Sequence, residues 1–210
     1  NDEEEEDTCE IVRCKADVFF YAAVNVRNVS TLLGLIEEAK KAAYKWGTKR
    51  VTLYVHTDGG DLHAGLSAMD HLERSFREED CELWTVADGW VASAGTLMLL
   101  GGTRRFSMPH ASLLVHSLST TIEGKCENIL QEAANTRKLG NMVRDIYMEK
   151  CNLKKQEVIH MLGKESMFTF KDAVKLGFVE GEIPSRINTH IRFGSDQKKP
   201  TQKNHAKHES

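Results

Sequence analysis

Between residues 17 and 100 the chain alternates β-prone runs with stretches of helical apolar spacing, and that alternation constrains the fold more than any other feature. Residues 17–26 are rich in aromatic and β-branched side chains, as in a buried strand. Ser30 is a preferred helix-capping residue, and Leu32, Ile36, Ala39, Ala43 and Trp46 follow at helical spacing until Gly47. Residues 50–56 form the next strand. A second helix then carries Leu62, Leu66, Met69, Leu72 and Phe76 on one face, and residues 83–87 are strand-like again. Strand, helix, strand in this order predicts right-handed crossovers and a parallel sheet, so the fold class is α/β.

Two junctions in this pattern hold chemistry. Gly59-Gly60 follows a strand and precedes a helix, where it reads either as a tight turn needing positive φ or as an outward-facing nest of N–H groups. No phosphate-loop or dinucleotide fingerprint accompanies it. Ser93 follows the next strand, after an expected break at Asp88-Gly89, and precedes an apolar helix ending at Gly101-Gly102. At a helix N-terminus a serine suits a nucleophile, and it also suits a capping role. Both junctions lie at the same edge of the expected sheet, where open α/β sheets place their sites.

Further along, residues 104–107 and 111–115 are short strands, the second ending at His116, one of nine histidines. Residues 117–124 are extended or loop. A long helix over 125–151 has apolar residues at three- and four-residue steps, and its length suits packing against another chain. A shorter helix over 154–162, a helix over 171–176 ended by Gly177, and a final strand at Phe178-Val179 complete the pattern.

The composition sets limits. With 210 residues, 40% hydrophobic and 28% charged, the chain suits one soluble domain. A net charge of −3 gives no reason to expect nucleic acid, and no apolar run is long enough to span a membrane. The five cysteines form no C-x-x-C pair, which fits the thiols of a reducing, cytoplasmic setting with neither a metal site nor a disulfide framework. Residues 1–16, acidic at their start, are expected to be a disordered arm, 17–193 the domain, and 194–210 a disordered tail.

Four ordered motifs resemble the caseinolytic (Clp) protease proteolytic subunit family across roughly residues 18–183. Leu53-Tyr54-Val55-His56-Thr57-Asp58-Gly59-Gly60 is similar to that family's strand and glycine pair, and Ala92-Ser93-Ala94-Gly95 to its nucleophile turn. Arg105-Phe106-Ser107-Met108-Pro109 through Leu114-Val115-His116 looks like the segment ending in the catalytic histidine. Asp172-Ala173-Val174-Lys175-Leu176-Gly177-Phe178-Val179 resembles the closing helix motif. The resemblance implies a crotonase-like fold of repeated ββα units, with a protruding handle helix over about 117–151 that joins stacked rings, seven-membered rings among them. It implies a serine endopeptidase acting on unfolded polypeptides without a cofactor, with an ATP-driven (AAA+) unfoldase as partner. Ser93 is then the nucleophile, His116 the general base, and the N–H groups of Gly60 and Ala94 the oxyanion hole. Aligning on the closing motif puts Glu165 where the family has its triad aspartate, with Asp172 as the alternative third member.

The chain also departs from the family pattern. Ser117-Leu118 replaces Gln-Pro, and Ser119, Thr120 and Thr121 stand where a glycine pair begins the substrate-pairing strand. The arm lacks the apolar axial-loop pattern, and the segment near Ser75 and Cys81 is longer. These features describe a divergent member, phage-encoded or a specialised paralogue. They also keep open a catalytically defective ring component or scaffold and, as a third reading, a crotonase-like acyl-CoA enzyme.

Overall fold

The computed structural model describes residues 10–77 and 80–185. In chain order the elements are β1 (Glu10–Cys14), β2 (Asp17–Tyr21), α1 (Val26–Lys45), β3 (Arg50–Thr57), α2 (Leu62–Phe76), β4 (Glu82–Ala92) and α3 (Ala94–Leu100). Then come β5 (Arg104–Ser107), β6 (Ser112–Val115), α4 (Cys126–Lys150), α5 (Lys155–Leu162), β7 (Ser166–Thr169), α6 (Phe170–Lys175) and β8 (Gly181–Glu182). The sheet runs β1-β2-β3-β4-β5-β8, with β6 on the far end of β4 and β7 on β6. The pairs β2–β3, β3–β4, β4–β5 and β4–β6 are parallel, so the α/β expectation holds.

Alternation along the strands sorts side chains to two faces. Val18, Phe20, Leu53, Val55, Leu83 and Ala87 face the main core, which α1 and α2 cover with Leu32, Ile36, Ala68 and Leu72. Phe19, Tyr54, Val86 and Phe106 face the other way in a small aromatic cluster, where the Phe19 and Tyr54 rings stack at 4.7 Å.

Several boundaries differ from the sequence reading, each for a local reason. The arm expected over 1–16 ends earlier: residues 10–14 are β1, paired antiparallel with β2, while residues 1–9 lie outside the described region. The tail expected at 194–210 and the last stretch of the 17–193 domain also fall outside it. Helix α1 is capped by Asn25, whose side chain accepts from the Asn28 N–H at 2.8 Å, and Ser30 lies within the helix. The Asp88-Gly89 pair does not break the strand. β4 passes through it as a bulge, with Gly89 at φ 70 and the pairing to β3 shifting between Val55 and Thr57. Phe178-Val179 is not a strand: the Phe178 N–H bonds Ala173 O at 2.9 Å and the Gly177 N–H bonds Val174 O at 3.1 Å, a Schellman closure of α6. Gly177 takes φ 80 there, and Phe178 is carried into the core, fully buried.

Candidate active site

β3 and β4 run parallel, so the turns after them meet at one edge of the sheet. Ser93 occupies the turn between β4 and α3 with φ 52 and ψ −122, a conformation that costs a non-glycine residue about 1–3 kcal/mol. Its side chain makes no capping bond to α3, so the capping role open to the sequence is not the one it plays. The Ser93 N–H donates to Leu114 O at 2.8 Å, extending the β4–β6 ladder by one step. His116 follows two residues after Leu114. One ladder therefore sets the register of the serine and the histidine.

The glycine pair packs against this turn. Gly59, at φ 93, donates its N–H to Thr57 Oγ1 at 3.0 Å. Gly60, at φ 142, forms a bridge with Val24. There the Val24 N–H donates to Gly59 O and the Asp61 N–H to Val24 O, both at 2.8 Å. The Asp61 side chain then caps α2 by accepting from the Ala64 N–H at 2.7 Å. The N–H groups of Gly60 and Ala94 have no partner among the described residues.

A cavity of about 420 Å3 opens on Gly60, Ser93, Ala94 and His116 together, with Leu97, Leu139, Val143 and Tyr147 supplying apolar wall. Ser119 and Thr120 also line it; Thr121 does not, and residues 117–123 form no strand. A second cavity of about 490 Å3 is lined by His116 and Glu165, with the 117–120 loop between them. Glu165 is exposed, immediately before β7, which pairs antiparallel with β6. No hydrogen bond joins Ser93, His116 and Glu165 among the described residues. Catalytic hydrogen bonds are often long before substrate arrives.

Asp172 is engaged elsewhere. Its carboxylate accepts from the Thr169 hydroxyl at 2.6 Å and the Thr169 N–H at 3.1 Å, closing the capping box of α6. Those hydrogen bonds hold its carboxyl below the usual range. It lines neither cavity.

The sequence reading missed two residues at the site, Thr96 and Tyr147. Thr96 Oγ1 lies 2.7 Å from Tyr147 Oη and donates to Ser93 O at 2.7 Å. The available signal was Tyr147 on the apolar stripe of the long helix, since a buried tyrosine needs a partner for its hydroxyl.

A mostly parallel sheet flanked by helices thus carries a strained strand-to-helix serine and a histidine on one cavity. The Clp protease family model matches residues 7–186. The chain belongs to the Clp protease family.

Two curated relatives are ATP-dependent Clp protease proteolytic subunit 2 of Nocardia farcinica and of Corynebacterium diphtheriae. The first is 27% identical over 141 residues, covering 65% of this chain and 66% of that protein. The second is 26% identical over 140 residues, covering 66% of this chain and 68% of that protein. The aligned stretch thus spans about two thirds of each relative's length. Among the described residues no helix is long and apolar enough to cross a membrane.

Proposed function

We propose that the chain is a serine endopeptidase of the Clp type, hydrolysing peptide bonds of unfolded polypeptides inside an oligomeric ring chamber. The observation that carries this reading is the backbone of Ser93, which holds positive φ without capping a helix, on a cavity shared with His116 and Gly60. Strain of that kind persists where the surrounding structure and the chemistry require it.

In this reading Ser93 Oγ attacks the scissile carbonyl carbon while His116 takes its proton. The tetrahedral oxyanion is held by the N–H groups of Gly60 and Ala94. His116 then gives the proton to the leaving amine, and water repeats the sequence to release the acyl group. Glu165 is the third member, orienting the imidazole; its support is the shared cavity with His116 and the commitment of Asp172 to the α6 cap. The partner for the substrate backbone is the 117–121 segment, with Ser119, Thr120 and Thr121 in place of glycine.

Association into rings is supported by α4. Of its 25 residues only Val143 and Tyr147 are buried, while Leu130 is 65% and Met142 45% exposed. The ATP dependence in the relatives' names supports an ATP-driven unfoldase partner. The cysteine pattern supports a reducing, cytoplasmic setting.

A second reading, a ring component without catalysis, draws on the exposure of Glu165 and its lack of a bond to His116. Labelling with a fluorophosphonate probe, located by peptide mass spectrometry, separates the two. The peptidase reading requires labelling at Ser93 and none in Ser93→Ala, and the role given to Glu165 requires a sharp fall in Glu165→Ala. A folded, assembled wild type that fails to label overturns it in favour of the scaffold.

A further inference from the structure

Tyr147 and Thr96 stand outside the acid–base set, yet their hydroxyls connect the root of α4 to the nucleophile turn. A hydroxyl has one proton to donate. The Ser93 carbonyl can only accept, so the Thr96 proton is committed to it across 2.7 Å. With that proton given to Ser93 O, the Tyr147 phenol, 2.7 Å from Thr96 Oγ1, is assigned as the donor in the second bond. The chain assigned in this way runs from Tyr147 O–H to Thr96 Oγ1, then from Thr96 O–H to Ser93 O. The Thr96 N–H reaches the same carbonyl at 3.0 Å. Both residues are buried, Thr96 at 0% and Tyr147 at 3% exposure, which strengthens such a chain. Burial also pushes the phenol above its ordinary value and keeps it protonated as a donor.

The Ser93–Ala94 peptide is planar and trans, so its C=O and N–H point in opposite directions. Clamping the carbonyl toward Thr96 therefore turns the Ala94 N–H away from α3's interior. That N–H is unpartnered among the described residues, and Ala94 lines the cavity that holds Ser93 and His116.

We infer that Tyr147 and Thr96 are positioning residues that aim the Ala94 N–H at the oxyanion formed from the scissile carbonyl; this deepens the peptidase reading and rests on it. The interaction they serve is strongest in the transition state. Their loss lowers kcat and leaves KM nearly unchanged.

The test uses the full chain with Thr96→Val, Thr96→Ser and Tyr147→Phe. Its readouts are the rate of fluorophosphonate labelling at Ser93, steady-state cleavage of a fluorogenic tripeptide amide, and the unfolding midpoint in urea. Thr96→Val and Tyr147→Phe should each lower the labelling rate and kcat about tenfold or more, with KM within about twofold of wild type. Thr96→Ser keeps the hydroxyl and should restore most of the activity that Thr96→Val loses. Wild-type rates in Thr96→Val and Tyr147→Phe, with wild type itself labelling, overturn the clamp and leave the peptidase reading standing. A raised KM at unchanged kcat overturns it as well. A wild type that does not label at Ser93 overturns both. If Thr96→Val loses its cooperative unfolding transition, Tyr147→Phe, which keeps the ring in place, decides alone.

Discussion

Gly59→Ala puts a single methyl group between the glycine turn and the Ser93 turn. A Cβ at Gly59 would stand 2.7 Å from Ser93 Cβ, 2.8 Å from Ala92 O and 3.3 Å from Ala94 N. Ordinary carbon–carbon contact needs about 3.5–4.0 Å, so the shortfall against Ser93 is about 1 Å. Neither side yields freely. The Ser93 turn is pinned by its N–H bond to Leu114 O at 2.8 Å, and Gly59 by the bond that Val24 N–H donates to its carbonyl, also at 2.8 Å. Alanine at φ 93 adds about 1–2 kcal/mol of backbone strain. Breaking one or two hydrogen bonds adds about 1 kcal/mol each, for a total destabilisation of about 2–4 kcal/mol. In the proposed mechanism, a displacement of about 1 Å at Ser93 costs about a hundredfold in rate. Urea unfolding followed by tryptophan fluorescence reads the first effect, and the labelling rate at Ser93 reads the second. Gly34→Ala is the control, since nothing lies within 4 Å of a Cβ there and the residue is helical. It should stabilise by about 0.5–1 kcal/mol and leave labelling unchanged. A Gly59→Ala protein with wild-type midpoint and labelling rate would refute the steric reasoning.

Two other outcomes follow from particular side chains. Cys151 is buried and its thiol is pushed up to about 12 by desolvation, so iodoacetamide at pH 8 should alkylate the exposed Cys14 and Cys126 and spare Cys151; equal modification of all three, read by peptide mass spectrometry, would contradict the packing at the base of α4. The Asp172 carboxyl lies below its ordinary value of 3.8 because of its Thr169 hydrogen bonds, so its contribution is complete above that value and is lost as pH falls through the lowered one. Asp172→Asn should flatten the acid limb of the stability–pH curve without abolishing labelling at Ser93, and loss of labelling in that folded variant would move the third catalytic role to Asp172.

The parallel sheet and both site turns were legible because buried β-branched runs and helical stripes alternate without ambiguity from Val18 to Leu100. Where the sequence reading slipped, tertiary contacts overrode local signals. Asn25 and Ser30 are both capping types, and Asn25 caps because Val29 must already be helical to enter the core, where it is buried. Asp88-Gly89 has the composition of a turn, yet β3 and β6 hold β4 on either side of it and convert the turn into a bulge. Phe178 and Val179 have strand propensity, and the Gly177 turn uses their backbone to close α6. Whether Ser93 caps a helix or stands strained at its start depends on φ, which composition does not encode. The Tyr147–Thr96 bond joins positions 51 apart and leaves no periodic trace.

The bulge in β4 carries an arithmetic of its own. From Val55 to Thr57 the neighbouring strand β3 advances two residues, while β4 advances four, from Ala87 to Val91. The excess is therefore two, an even number, and side chains on a strand change face with every residue. Leu83, Ala87 and Val91 accordingly all point into the main core, before and after the irregularity. An odd excess would have reversed the parity of everything downstream, sending Val91 to the aromatic face and turning the Ser93 loop away from the glycine pair. The strand absorbs a disruption next to its most demanding residue because the disruption comes in a pair.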